Sequence, residues 1–165
     1  MLPQPSRILC AIDLSASSEA VLAQALTLGR ALDVEVHVLH VEEPPSAIGR
    51  AEVAHVLGPE GMRRHEEAVA REQLVQLERC LTEFTAKHLG GAPIADTFTA
   101  WHVAHDRPAR AIVEAAERLG AAMIVAGLRG HGAFEQLVAG SVAQSLVNKS
   151  PVPLLLVPVH AGKPA

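Results

Sequence analysis

Aromatic residues are nearly missing from this chain of 165 residues: one Trp, three Phe and no Tyr. A stacking platform for single-stranded nucleic acid needs several exposed rings, so that class is excluded. A basic excess is missing too. Fourteen Lys and Arg stand against eighteen Asp and Glu, a net charge of −4. Nothing in that balance would drive binding to nucleic acid or to an anionic membrane. Cysteine is reduced to Cys10 and Cys80, far apart in the chain. Two such thiols, behind an N-terminus with no charged-then-apolar secretory pattern, suit a reducing cytoplasm better than a disulfide framework. No window reaches the ~18 apolar residues of a membrane helix.

What is abundant is aliphatic. Hydrophobic residues make up 49% and charged residues 19%, enough for a sizeable core and against global disorder. The length fits one domain, residues 1–165, with an ordered core over 6–159. Ile8 to Ile12 reads as a short buried strand, ended by Asp13 and a Ser-rich turn in which Ser15 is the expected helix N-cap. Val21, Ala25, Leu28 and Leu32 then recur at helical spacing. Val34 to Val41 is β-branched and strand-like. A long connection over Glu42 to Pro59, with a short helical piece near 51–57, leads to a helix from about Glu60 to Leu89. Its stripe is Ala70, Leu74, Leu77, Leu81 and Phe84. Ile94 to Val103 is a third strand by pattern. Pro108 opens a helix that Gly120 closes. Ala121 to Ala126 is a strand without a polar face, hence covered on both sides. A last helix ends near Asn148-Lys149, and Val152 to Val159 is a last strand. Strands alternating with helices predict a doubly wound parallel sheet with helices on both faces.

The most informative spacing is Gly127-Leu128-Arg129-Gly130, nine residues, then Gly140-Ser141, or G-x2-G-x9-G-S. Glycines after a strand can take positive φ and let backbone N–H groups approach an anion. Ser141 and Val142 would open a helix whose free N–H groups and dipole favour negative charge. Neither the G-x4-G-K-[ST] loop nor the G-x-G-x-x-G fingerprint is present, which weakens the corresponding nucleotide folds. In open α/β sheets ligands bind at the carboxyl ends of strands where the strand order reverses. For an order 3-2-1-4-5 those ends are Asp13 and Gly127. Asp13 suits ribose hydroxyls there; its plainer alternative is a turn-capping carboxylate.

Together, Ile8-Leu9-Cys10-Ala11-Ile12-Asp13, Leu39-His40-Val41, Ile124-Val125-Ala126-Gly127, the glycine motif and Pro151-Val152-Pro153-Leu154-Leu155-Leu156-Val157 make the chain resemble the universal stress protein family, in its ATP-binding branch. The resemblance implies a five-stranded α/β fold of the adenine-nucleotide α-hydrolase-like kind, order 3-2-1-4-5. It implies ATP with Mg²⁺ as ligands. Asp13, beside Ile12, would meet the ribose and the Val41 backbone the adenine edge. Gly127, Arg129, Gly130, His131, Gly140, Ser141 and Val142 would line the phosphates. It also implies a homodimer through the Val152–Val159 strand and a regulatory stress-response role with an unidentified protein partner. Three positions depart from the family pattern: His131 for Arg or Lys, Asp106 for Gly and Ala122 for Asp. A neutral imidazole at 131 supplies less charge to a triphosphate.

No residue is placed by pattern as a general base, so at most slow hydrolysis is expected. The alternative is a partner-binding module of the same fold with an empty or different pocket. An adenylating enzyme is disfavoured because Asp13-Leu14-Ser15-Ala16-Ser17-Ser18 holds no glycine. His37 and His40, three apart in a strand, read as ordinary surface or core histidines, and Cys10 as a small core residue.

Overall fold

The computed structural model describes residues 6–128 and 139–158. Its centre is β1 (Arg7–Ile12), flanked on one side by β2 (Glu35–Glu42) and β3 (Ala100–His105), and on the other by β4 (Met123–Gly127) and β5 (Leu154–Val157). The sheet order is β3-β2-β1-β4-β5, and every neighbouring pair is parallel. This is the expected topology. The physical reason is visible in β1 and β4. Ile8, Cys10 and Val125 enter one apolar layer, while Leu9, Ile124 and Ala126 enter the other. Strands buried on both faces need helices on both faces.

The first layer is built by α1 (Ser18–Leu32) and the last third of α2 (Ala47–His88), the second by α4 (Pro108–Leu119) and α5 (Ser141–Lys149). The short α3 (Ile94–Thr97) precedes β3. Helix α1 starts at Ser18 with Ser17 as N-cap, not after Ser15. The Ser15 side chain is instead engaged with Asp13. Helix α4 has Pro108 in its first turn, and Gly120 caps it at φ 59°, its N–H reaching the Ala116 and Glu117 carbonyls, as the pattern predicts.

Three boundaries differ from the sequence reading. The strand expected from Ile94 begins at Ala100. Ile94–Thr97 is one helical turn instead, which lets Phe98 drop into the core at 1% exposure. Helix α2 begins at Ala47, so most of the expected connection is helical. It is broken at Gly58 (φ 67°, ψ 174°), just before Pro59. Of its apolar stripe, Leu77, Leu81 and Phe84 are buried, whereas Leu74 is exposed, because the helix reaches the sheet only after that point. Strand β5 is four residues long rather than the expected eight of Val152–Val159. Pro153 and Pro158 bracket it and lack the N–H a ladder needs. Val159 lies outside the described residues.

Candidate functional site

Register fixes which residues share the carboxyl end of the sheet. Ile12 pairs with His40, so Asp13 and Val41 lie one step further at similar height. Ala11 pairs with Ala126, which puts Gly127 beside Ile12. The Gly140 N–H donates to the Leu128 carbonyl at 3.0 Å, bringing the start of α5 to the end of β4. The fold therefore gathers Ile12, Asp13, Val41, Gly127, Gly140, Ser141 and Val142 at the point where the strand order reverses. Arg129, Gly130 and His131 lie outside the described residues.

The N-terminus of α5 is open. Gly140 is the N-cap and carries no side chain to cap with, and the first backbone bond runs from the Gln144 N–H to the Gly140 carbonyl. The amides of Ser141, Val142 and Ala143 thus precede the first intrahelical bond and point out of the helix end. Val142 packs its side chain into the second layer, so it offers the site only its backbone. Gly140 takes φ −58° and Gly127 is the last residue of β4. Neither uses the left-handed backbone that the sequence reading allows. What remains of the glycine requirement at these two positions is the missing Cβ.

Asp13 serves two purposes at once. Its Oδ1 accepts the Ser15 N–H at 3.1 Å, the Ser15 hydroxyl at 2.6 Å and the Ser18 hydroxyl at 3.3 Å. That is the turn-capping role weighed above. Its Oδ2 is buried and has no partner among the described residues. A buried carboxylate oxygen without a donor is costly to leave unpaired. It fits a ligand hydroxyl, and in that respect the residues present suit a ribose. Between Asp13 and Ser15, Leu14 takes φ 58°, an uncommon conformation for a non-glycine residue.

His40 is the site residue that pattern reasoning undervalued. It is buried, and its Nδ1 lies 3.0 Å from the Ile12 carbonyl. A carbonyl only accepts, so Nδ1 carries the proton. Nε2 lies 3.5 Å from a Glu42 carboxylate oxygen and makes no hydrogen bond among the described residues. His40 thereby holds the ends of β1 and β2 together beside Asp13 and Val41. The Leu39-His40-Val41 triplet flagged the position, but periodicity alone could not show the bond to β1.

Beside this strand-end site, a cleft of about 590 Å³ opens between the start of α1 and the last third of α2. The Leu14–Ala16 segment forms one wall, and Cys80 and Phe84 lie on the other. Its rim charges neutralise one another: Arg79 pairs with Glu83 and Lys87 with Glu19, each at 2.8 Å. Without a field of one sign it is a poor phosphate site. Burial first, then the charges of Glu83 and Asp13, push the Cys80 thiol above its usual range, which disfavours the reactive thiolate. Cys10 is fully buried in β1 and its thiol is pushed up by desolvation, as a core cysteine should be. Among the described residues no group of three or more His, Cys, Asp or Glu is placed to hold a metal, and no helix is long and apolar enough to cross a membrane.

The fold defines a doubly wound parallel α/β domain whose strand order reverses between β1 and β4. The sequence profile of the Universal stress protein family matches residues 5–158, and the chain belongs to that family. A universal stress protein of Thermus aquaticus is 35% identical over 151 residues, covering 91% of this chain and 96% of that one. The solved structure of hypothetical protein MJ0577 superposes with a TM-score of 0.65 at 21% identity, covering 97% of this chain and 100% of its own. A universal stress protein solved in complex with cAMP gives a TM-score of 0.55 at 17% identity, covering 96% and 100%. These structural likenesses establish the adenine-nucleotide α-hydrolase-like fold.

Proposed function

We propose that this universal stress protein binds ATP at the carboxyl ends of β1 and β4 and works as a regulatory stress-response module without fast turnover. The observation that carries the reading is the pairing of two unmet needs at one place: the partnerless Oδ2 of Asp13 and the open N-terminus of α5. The first is an acceptor for a ribose hydroxyl. The second is a set of amide donors for phosphate oxygens, reinforced by the helix dipole. Val41 would offer its backbone to the adenine edge, and Ile12 and Gly127 would floor the pocket. Arg129, Gly130 and His131 would complete the phosphate loop. The cAMP complex of a structural relative supports an adenine nucleotide as the ligand class. Mg²⁺ would arrive on the phosphates rather than in a cage of protein ligands, the usual habit of that ion.

The same reading includes a homodimer through β5, the edge strand next to β4. The Pro153 and Val157 carbonyls accept from the amides of Ile124 and Leu128 in and just after β4. By ladder alternation the N–H and C=O of Leu154 and Leu156 then face the free edge. A two-fold axis at Leu155 would pair Leu154 with Leu156 of a second copy in both directions and cover the half-buried leucines. A cytoplasmic site of action follows from the thiol content and remains part of the proposal.

The test is mass spectrometry of small molecules released on denaturing the purified protein, with calorimetric titration of MgATP into protein stripped of ligand. Gly140→Val keeps an accessible backbone angle and puts a side chain where the phosphates would lie. ATP binding by wild type and its loss in Gly140→Val supports the site. Equal affinity in both, or no binding by either, overturns it and favours the partner-binding alternative.

A further inference from the structure

The β1–β2 ladder ends at the Ile12–His40 pair, and beyond it Val41 and Glu42 are paired with Ala104 and His105 of β3 alone. The last tie from this end of β2 to β1 is a side chain, the His40 Nδ1–H on the Ile12 carbonyl at 3.0 Å. Strand alternation puts His40 and Glu42 on the α1/α2 face that carries Val36 and Val38. Val41, between them, turns its side chain to the other layer. His40 is 5% exposed, yet its Nε2 has no hydrogen bond among the described residues. A Glu42 carboxylate oxygen lies 3.5 Å from it. With the proton on Nδ1 both atoms are acceptors, and two acceptors this close repel. One more proton, on Nε2, turns the contact into a charge-assisted hydrogen bond and leaves the bond to Ile12 intact. Residues 40 and 42 are then clasped across Val41.

The other ionisable groups on this face are engaged elsewhere. At the β1–α1 turn, Asp13 gives Oδ1 to Ser15 and Ser18. On α1, Glu19 pairs with Lys87. On α2, Glu78 holds the Trp101 indole N–H at 3.0 Å, Glu83 pairs with Arg79, and the Cys80 thiol, pushed up by burial, stays uncharged. On β3, His105 stands opposite Glu42 in register and is the competitor for its charge. We propose that His40 is a positioning residue for the nucleotide and acts through a proton on Nε2: the His40–Glu42 clasp fixes the Val41 backbone, where the adenine edge would lie, so affinity rises as the ring is protonated. The proposal rests on the nucleotide reading above and adds a regulation to it. Histidine is the residue type whose charge can change between about pH 5 and 8. A strand end fixed before binding lowers the cost of ordering it. The added positive charge beside the site also favours phosphates. By linkage, bound ATP in turn favours the protonated ring.

The test is calorimetric titration of MgATP at pH 8 and pH 6, with the Val41 amide resonance followed by NMR over the same range without nucleotide. Wild type should bind about threefold more tightly at pH 6, the scale of gain a partly exposed charge pair supplies. The protonation of MgATP itself is common to all variants and cancels between them. His40→Asn keeps a donor for the Ile12 carbonyl but takes up no second proton, so the affinity gain at pH 6 should vanish. Glu42→Gln offers an amide N–H to the unprotonated Nε2 and closes the clasp without a proton. It should bind at pH 8 as tightly as wild type does at pH 6, a gain that a merely structural role would not produce. Glu42 is partly exposed, so this variant serves even where His40→Asn does not fold. His105→Gln should keep the wild-type pH response. The Val41 amide should shift between pH 8 and pH 6 in wild type and stay in place in His40→Asn and Glu42→Gln. A pH response equal in wild type and these two variants, or one abolished by His105→Gln, overturns the proposal and leaves the nucleotide reading standing. Absence of MgATP binding at both pH values refutes the nucleotide reading, while a Val41 response that needs both His40 and Glu42 still supports the clasp.

Discussion

Asp13 and Ser15 are bound twice over: one carboxylate oxygen takes both the Ser15 amide and its hydroxyl, at 3.1 and 2.6 Å. The capping of the β1–α1 turn and the proposed ribose contact therefore use different oxygens of one side chain. The two roles are separable by substitution. Asp13→Asn keeps an oxygen for the turn and replaces the free acceptor with an amide. It should retain the fold and lose at least tenfold in ATP affinity, since a charge-assisted hydrogen bond contributes about 1.5–3 kcal/mol. Calorimetry giving an unchanged dissociation constant would leave Asp13 as a turn cap alone.

Leu155 sits at the centre of the edge strand, half-buried against the α1 layer. If a second copy pairs there, Leu155→Asp forces a carboxylate into the seam. The β5 contact should then be lost, and the assembly mass should drop by at least half. Light scattering that finds the same mass for wild type and variant counts against the β5 dimer.

Gly29 lies in the last turn of α1, where helix propensity alone would favour Ala by up to about 1 kcal/mol. Here the tertiary contact wins. A Cβ at this position would overlap Val36 Cγ2 and meet the Val34 carbonyl at 3.3 Å. Valine is stiff at χ1 and cannot swing away. Gly29→Ala should lower stability by about 1–2 kcal/mol net of the propensity gain. An increased denaturation midpoint would show that α1 can lift from β2 at no cost.

Glu19, in the first turn of α1, accepts from Lys87 and His88 at the end of α2. Those hydrogen bonds, Lys87 first, hold its carboxyl below the usual carboxylate range. A depressed folded value means the stabilisation is present above the unfolded pKa of about 4.3 and is lost as pH falls through the folded one. The carboxylate is nearly half exposed, so the contribution is discounted for solvent screening to under about 1 kcal/mol. Glu19→Gln should therefore lower stability slightly at neutral pH and converge on wild type in acid. Chemical denaturation series across pH 2–7 that run parallel would remove this link between α1 and α2.

Much of this architecture is written in residue order, because the determining forces are local. Continuous apolar runs at 8–12 and 124–126 require cover on both faces, and alternating helices make the sheet parallel. Pro108 and Gly120 set the ends of α4 through φ and the missing N–H. Of the G-x2-G-x9-G-S spacing, Gly127, Gly140 and Ser141 come together at the end of β4, while Gly130 lies outside the described residues. Other features depend on contacts made across the sequence. Pattern could not say that Ile94–Thr97 would coil to sink Phe98, because that gain depends on α2 lying above it. It could not say that Asp13 would divide its oxygens, or that His40 would bridge to Ile12, since both rest on β1 and β2 being in register. The stripe from Ala70 to Phe84 is uniform in sequence. Only the sheet's limited width decides that its last part is core and its first part stands in water.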